Sequence, residues 1–174
     1  MRTLIGAMTL LAALQNPTTV PPARGFRAEL LRDLDDMQKK ITDLAAAMPA
    51  DKYTWRPASG VRSVSEVFMH IAGGNYYGAT FVGVKAPVYD ERAFERIQDK
   101  ERVLAELKKS FQHLRMAILT TSDADLDKPI KMFGNDSTER EAFMFALFHL
   151  HEHLGQSIAY ARMNGVVPPW SASP

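Results

Sequence analysis

The sequence predicts an all-α protein, a four-helix bundle. Three observations carry this: apolar residues recur at spacings of three and four in four separate segments, helix-capping patterns open two of them, and Pro/Gly/Asp-rich stretches divide them. The chain has 174 residues, enough for one domain with a real core. No internal repeat or second domain shows.

The first helix is read from Phe26, Leu30, Leu34, Met37, Ile41, Leu44 and Met48, with charges between them. Met48-Pro49 ends it, and "PADKYTWRPASGVRS" follows as a loop. Ser63-x-x-Glu66 is a capping box, so a second helix starts near Val64, carries Val67, Phe68 and Ile71, and weakens at Gly73-Gly74. The stretch "GVKAPVYDERAF" reads as irregular, with room for one short helical turn. Leu104, Leu107, Phe111, Leu114 and Ile118 mark the third helix and leave His113 off the stripe, in solvent. "TSDADLDKPIKMFGNDS" is a connecting loop with a brief extended piece at 130–133. Thr138-x-x-Glu141 is a second capping box, opening a fourth helix that runs to Asn164 and is closed by Gly165 as its left-handed cap.

Ahead of the bundle, the N-terminus has one Arg, an apolar run from Leu4 to Leu14 and a Pro/Thr-rich stretch. This pattern resembles a secretory signal peptide and is too short to span a bilayer. The expected organisation is a signal peptide with a flexible segment over 1–23, the bundle over 24–170 and a tail over 171–174. Export to the periplasm or exterior follows if the leader works; otherwise the chain is cytoplasmic.

Composition narrows the function. With 21 basic and 20 acidic residues and no basic cluster, the electrostatic footprint of a nucleic-acid binder is missing. Cysteine is absent, so thiolate ligands and cysteine nucleophiles are excluded, and a metal would have to use imidazole, carboxylate or water. The expected partners are a small-molecule substrate and at most a second copy in a homodimer, with no nucleic acid and no stable membrane anchor.

"FHLHEHLGQ", residues 148–156, sets three histidines at alternate positions of the fourth helix. At about 100° per residue, His149 and His153 share one face and His151 points nearly opposite. The pair lies on a stripe with Ala142, Ala146, Gln156, Tyr160 and Met163, beside a second apolar stripe through Leu147, Leu150, Leu154 and Ile158. Two imidazoles at i and i+4 can share one metal ion. The best third ligand is His70, near the apolar face of the second helix, where Gly74 one turn later leaves room beside a site. Three imidazoles would suit Zn²⁺, Ni²⁺ or another late divalent ion, with a position open to exchange. The alternative is three hydrogen-bonded histidines without a metal.

Two tighter patterns fail. "HEHLG" has Gly155 where a zinc-protease motif requires its second histidine, so Glu152 is not cast as a base. The Glu-x-x-His pairs of a di-iron bundle are missing, and Glu66 has a sufficient role in the capping box.

The segments "YTWRPASGVRSVSEVFMHIAGGN" and "HLHEHLGQSIAYARMNGVVPP" together resemble the DinB/YfiT-like metalloenzyme family, in order, spacing and separation, over residues 26–170. The resemblance implies a four-helix bundle with a divalent metal on His70, His149 and His153. It also implies a metal-dependent hydrolase or a thiol-dependent transferase acting on a small molecule. The alternative is a non-catalytic metal- or ligand-binding module. A leader departs from the cytoplasmic pattern of the family and makes a cytosolic thiol a poor fit. Asn75, Tyr76, Tyr77, Gln156 and Tyr160 are candidates to line the open side, with Arg56 as an anion contact. Trp55 is read as an anchor closing the bundle end.

Overall fold

The computed structural model describes residues 23–171; the leader-like segment lies outside them. Four long helices make the bundle: α1 (Gly25–Ala47), α2 (Val64–Thr80), α4 (Lys100–Thr120) and α5 (Glu139–Met163). A five-residue α3 (Glu91–Glu95) occupies the stretch read as irregular. A hairpin of β1 (Pro129–Met132) and β2 (Asn135–Thr138) occupies the loop with the extended piece. No described helix is long and apolar enough to cross a membrane.

The stripe of α1 is buried as its spacing requires, with Leu30, Leu34, Met37, Ile41 and Leu44 all at most 3 % exposed. Ser63 caps α2 reciprocally: its Oγ accepts from the Glu66 N–H at 3.3 Å while the Glu66 carboxylate accepts from the Ser63 N–H at 2.7 Å. Burial would raise the Glu66 carboxyl, but the Ser63 N–H and the Arg56 guanidinium outweigh it and hold the group below its usual range. Contrary to expectation, α2 does not weaken at Gly73-Gly74 and stays helical to Thr80. Each glycine costs helix propensity, but α2 packs closely there against α5 and tertiary contact wins. The second capping box is only half formed. Thr138 Oγ1 accepts from the Glu141 N–H at 3.3 Å, but the Glu141 carboxylate takes the Ser137 hydroxyl at 2.8 Å instead. Gly165, at φ 74°, closes α5 as read.

Connectivity follows from contacts. α1 packs on α4 and α5, and α2 packs on the same two, so α1 and α2, consecutive in the chain, stand diagonally. Arg27 at the start of α1 donates to the carbonyl of Thr121 just past α4 at 2.7 Å. Lys100 at the start of α4 donates to the carbonyls of Ala46 and Met48 at 2.6 and 2.8 Å. These two helices are therefore antiparallel, each offering a cation to the negative end of the other. Gly78 meets Ala146 and Gly74 meets His149, so α2 and α5 are also antiparallel. Arg140 stacks over Phe26, and Trp55 beyond α1 packs edge-on against Tyr160 at 5.5 Å, so α1 and α5 are parallel. The order is up, down, down, up, and the connection bearing α3 must travel the bundle's length between the two parallel helices α2 and α4.

The loop after α1 aims α2. Tyr53 is fully buried, its hydroxyl donates to the Ala45 carbonyl at 2.8 Å, and its own carbonyl accepts from the Ser65 N–H at 2.9 Å. Burial raises the phenol well above its ordinary value, so it stays a neutral donor. Trp55 is half-buried at the bundle end, as read. His113 differs: it is half-buried against Tyr76 at 5.2 Å, with an Nε2 that has no partner among the described residues, and burial lowers its pKa. Tyr53→Phe removes one buried hydrogen bond without changing the packing, and equilibrium unfolding is expected to show a loss of about 1 kcal/mol.

Candidate metal centre

The candidate centre lies where the first turns of α2 meet the middle of α5. Helical periodicity stacks His149 above His153 on α5, and the antiparallel crossing sets His70 opposite both. One ligand-capable nitrogen from each of the three falls within 4.8 Å of the others. The Nε2 atoms of His70 and His149 are 3.1 Å apart. The ring centroids are separated by 4.9 Å (His70–His149), 4.6 Å (His70–His153) and 4.5 Å (His149–His153), with planes tilted by 60° to 88°. Rings so tilted meet edge to face and do not stack.

This approach depends on a missing side chain. A Cβ built on Gly74 would lie 2.3 Å from Cε1 and 2.8 Å from Nδ1 of His149, far inside contact distance. Gly74 is thus the space the His149 ring occupies, and Gly78 one turn on lets Ala146 approach to 3.4 Å.

The surrounding groups fix protonation. His153, buried at 8 % exposure, has Nδ1 2.9 Å from Gln156 Oε1. An amide oxygen only accepts, so Nδ1 carries the proton and Nε2 presents its lone pair to the cluster. Gln156 is held in turn by donating from Nε2 to the Tyr160 hydroxyl at 3.1 Å. Burial first, then the nearby charge of Arg62 and the neighbouring imidazoles, push the His70 pKa down to about 4. Burial and His153 push His149 to about 4, although Glu152 opposes. Both rings are neutral at pH 7, the form that coordinates metal. Three imidazoles whose ring nitrogens lie this close together, with one tautomer set by Gln156 and no carboxylate or thiolate among them, fit a late divalent ion.

His70 and His149 form part of the wall of a cleft of about 580 Å³ between α2, the segment 86–95, the hairpin tip and α5. Tyr77, half exposed, lies on this wall. Gln156 and Tyr160 stand behind His153 as its supports. Arg56 lines a neighbouring open groove with Glu66 and Gln156, its guanidinium bonded to the Glu66 carboxylate at 3.2 Å and the Val61 carbonyl at 2.9 Å. Asn75 and Tyr76 do not reach the cleft. Asn75, 1 % exposed, donates to Ser110 on α4 at 3.1 Å. Tyr76, 3 % exposed, packs among Tyr89, Phe94 and His113, and burial raises its phenol to about 12. At about 100° per residue, adjacent positions of a helix face different neighbours. His151 faces away, its Nδ1 2.9 Å from the Leu147 carbonyl.

Sequence reasoning missed Glu95 and Phe133. The Glu95 carboxylate lies 3.9 Å from both His70 Nδ1 and Arg62 Nη2, brought there by α3. Its only signal was the Asp90 cap of a very short helix, whose Oδ1 accepts from the Ala93 N–H at 2.8 Å. Phe133 comes from the hairpin tip, and nothing in its spacing pointed toward α5.

The fold has close likenesses among solved structures. A DinB-like protein of Bacillus cereus is 16% identical with a TM-score of 0.73, covering 82% of this chain and 95% of its own. The DinB-like protein YjoA of Bacillus subtilis is 19% identical with a TM-score of 0.65, over 80% and 93% respectively. YfiT of Bacillus subtilis, described as a probable metal-dependent hydrolase with an unusual four-helix bundle topology, is 16% identical with a TM-score of 0.65, over 88% and 94%. No curated protein matches the chain. The model of the DinB superfamily matches residues 33–157, a span that takes in α2 and most of α5 with all three clustered histidines, and the chain belongs to that superfamily.

Proposed function

We propose that the chain is a metal-dependent hydrolase of a small molecule, with His70, His149 and His153 holding one divalent ion, Zn²⁺ or Ni²⁺. The observation that carries this is the clustering of three imidazoles, two of them on the wall of a cleft large enough for a small organic molecule. The description of the fold neighbour YfiT as a probable metal-dependent hydrolase supports it. When bound, the ion would act as a Lewis acid, polarising a carbonyl or lowering the pKa of a water.

The chain's own groups have distinct tasks. The histidines are ligands and are unavailable as bases. Gln156 fixes the His153 tautomer and ring direction. Glu95 faces the Nδ1 side of His70 from the cleft wall, 3.9 Å away and short of a hydrogen bond, and is the candidate to accept a proton from a water in the cleft. Thiol transfer, the other activity the family resemblance implies, has less support: low-molecular-weight thiols that carry carboxylates need cations, and the cleft wall has two carboxylates against one guanidinium.

Elemental analysis of natively purified protein is expected to find about one divalent ion per chain, lost in His70→Ala, His149→Ala and His153→Ala. A metal-free parent would end the proposal. Gln156→Ala is expected to weaken metal affinity by about 10- to 100-fold while the fold persists. Gly74→Ala is expected to abolish loading, because its methyl would displace the His149 ring. Chelator-sensitive turnover on ester and amide panels tests catalysis; silence across them with the metal bound would make the chain a binding module.

The metal-free protein should also sense pH. The unfolded chain protonates these imidazoles below about 6.5, whereas the folded chain resists until about 4. Between those values the unfolded state binds more protons, so stability falls as pH falls. The Tm of the apo protein is expected to drop from pH 7 to pH 5, and His149→Ala is expected to shrink that drop. An equal drop in the variant would show that the ring is not buried neutral.

A further inference from the structure

We propose that Phe133, at the tip of the β-hairpin, determines what the cleft accepts: an uncharged molecule bearing an aromatic group, which Phe133 holds against Tyr77 and Phe145 with its polar end toward the histidines. The proposal rests on the preceding section only for where the reacting end lies.

The first observation is conformational. Phe133 has φ 51° and Gly134 φ 84°, both left-handed, in a two-residue turn joining Met132 to its partner Asn135. Such a turn favours Asn-Gly, because a residue with a bulky side chain is strained at positive φ. Among the described residues Phe133 is the one non-glycine in this region. Strain that persists at one site is a pointer to function, since an asparagine there would relieve it.

The second observation is where the ring goes. Its centroid lies 5.1 Å from Phe145 on α5, 5.3 Å from Phe81 and 6.1 Å from Tyr77 on α2, bridging the two helices that carry the histidines. Phe145 in turn lies 6.4 Å from His149. Yet Phe133 remains 57 % exposed and forms part of the cleft wall. A ring whose task was only to anchor the hairpin would be buried more fully. The third observation is the lining: the charged groups of the wall are Glu91, Glu95 and Arg92, a net negative set before any ion is bound, while Met69, Pro87 and Val88 extend the apolar part. Aromatic faces on this side of the cleft select a flat, uncharged group.

The test uses the full chain and the neutral fluorescent dye N-phenyl-1-naphthylamine, with the anionic anilinonaphthalene sulfonate for comparison. Stripped of metal, the parent is expected to bind the neutral dye at least tenfold more tightly than the anion. Phe133→Asn is expected to lose about tenfold or more in neutral-dye affinity, with an unchanged or raised Tm and unchanged metal content, and Phe133→Trp is expected to retain binding. His153→Ala, whose ring does not line the cleft, is expected to lose the metal but keep the dye within about threefold, which separates this proposal from the metal reading. Equal dye binding by Phe133→Asn and the parent would overturn it, as would a lowered Tm with intact binding, which is the signature of an anchor. Equal affinity for the two dyes would overturn the charge selection. A self-associated parent that dissociates in Phe133→Asn would assign the aromatic patch to a second copy and also overturn it.

Discussion

The close approach of α2 to α5 is the constraint on which the site depends. Two helices meet at 8–10 Å according to the side chains between them, and here the α2 contribution at the crossing is Gly74 and Gly78. A methyl at 74 would intrude on His149, and without that ring in place the imidazoles of 70 and 153 would face a gap. Helix propensity argues against glycine in mid-helix by roughly 1 kcal/mol per residue. The helix persists because Ser63 and Glu66 cap its start, Tyr53 ties it to the preceding loop, and Phe68, Ile71 and Ala72 are buried.

The remaining architecture holds that crossing steady. Arg27 and Lys100 lock the antiparallel pair α1 and α4 at opposite ends, each donating to carbonyls that close the other helix. Arg27 is also paired with Asp123 at 2.7 Å, so its buried cation is compensated. Since α4 packs on both α1 and α2, and α5 on both as well, each helix of the histidine pair is braced from two sides. Diagonal placement of consecutive helices has a further consequence. The chain between α2 and α4 must cross the long way, and α3, with Glu95, is carried past the mouth of the site on that crossing. The hairpin between α4 and α5 likewise brings Phe133 to the opposite rim.

The chemistry is graded outward from the histidines. Innermost are three imidazoles, of which His70 and His149 are kept neutral by burial and by the repulsion their charged forms would meet. Behind them Gln156 and Tyr160 form a hydrogen-bonded relay that sets a tautomer. At the rim, carboxylates, one arginine and several aromatic rings face the space where a guest would lie. Membership of the DinB superfamily accounts for the scaffold; the outer groups are brought in by the connections between the helices.

The sequence by itself determined the four long helices, their caps at Ser63 and Gly165, the pairing of His149 with His153 on one face and the need for a small residue at 74. These are local matters, fixed by the helical period and by backbone conformation. Tertiary structure alone decided the rest. Which helices adjoin depends on loops whose reach permits several wirings. Asn75 and Tyr76 turn toward α4, although Gly74 and Tyr77 beside them face the cleft, because 100° per residue separates neighbours by whole faces. His113, read as solvated, is half-buried because α2 covers its side of α4 with Tyr76. Glu95 and Phe133 joined the site through a five-residue helix and a four-residue hairpin strand, elements too short for periodicity to announce and placed only by what they pack upon.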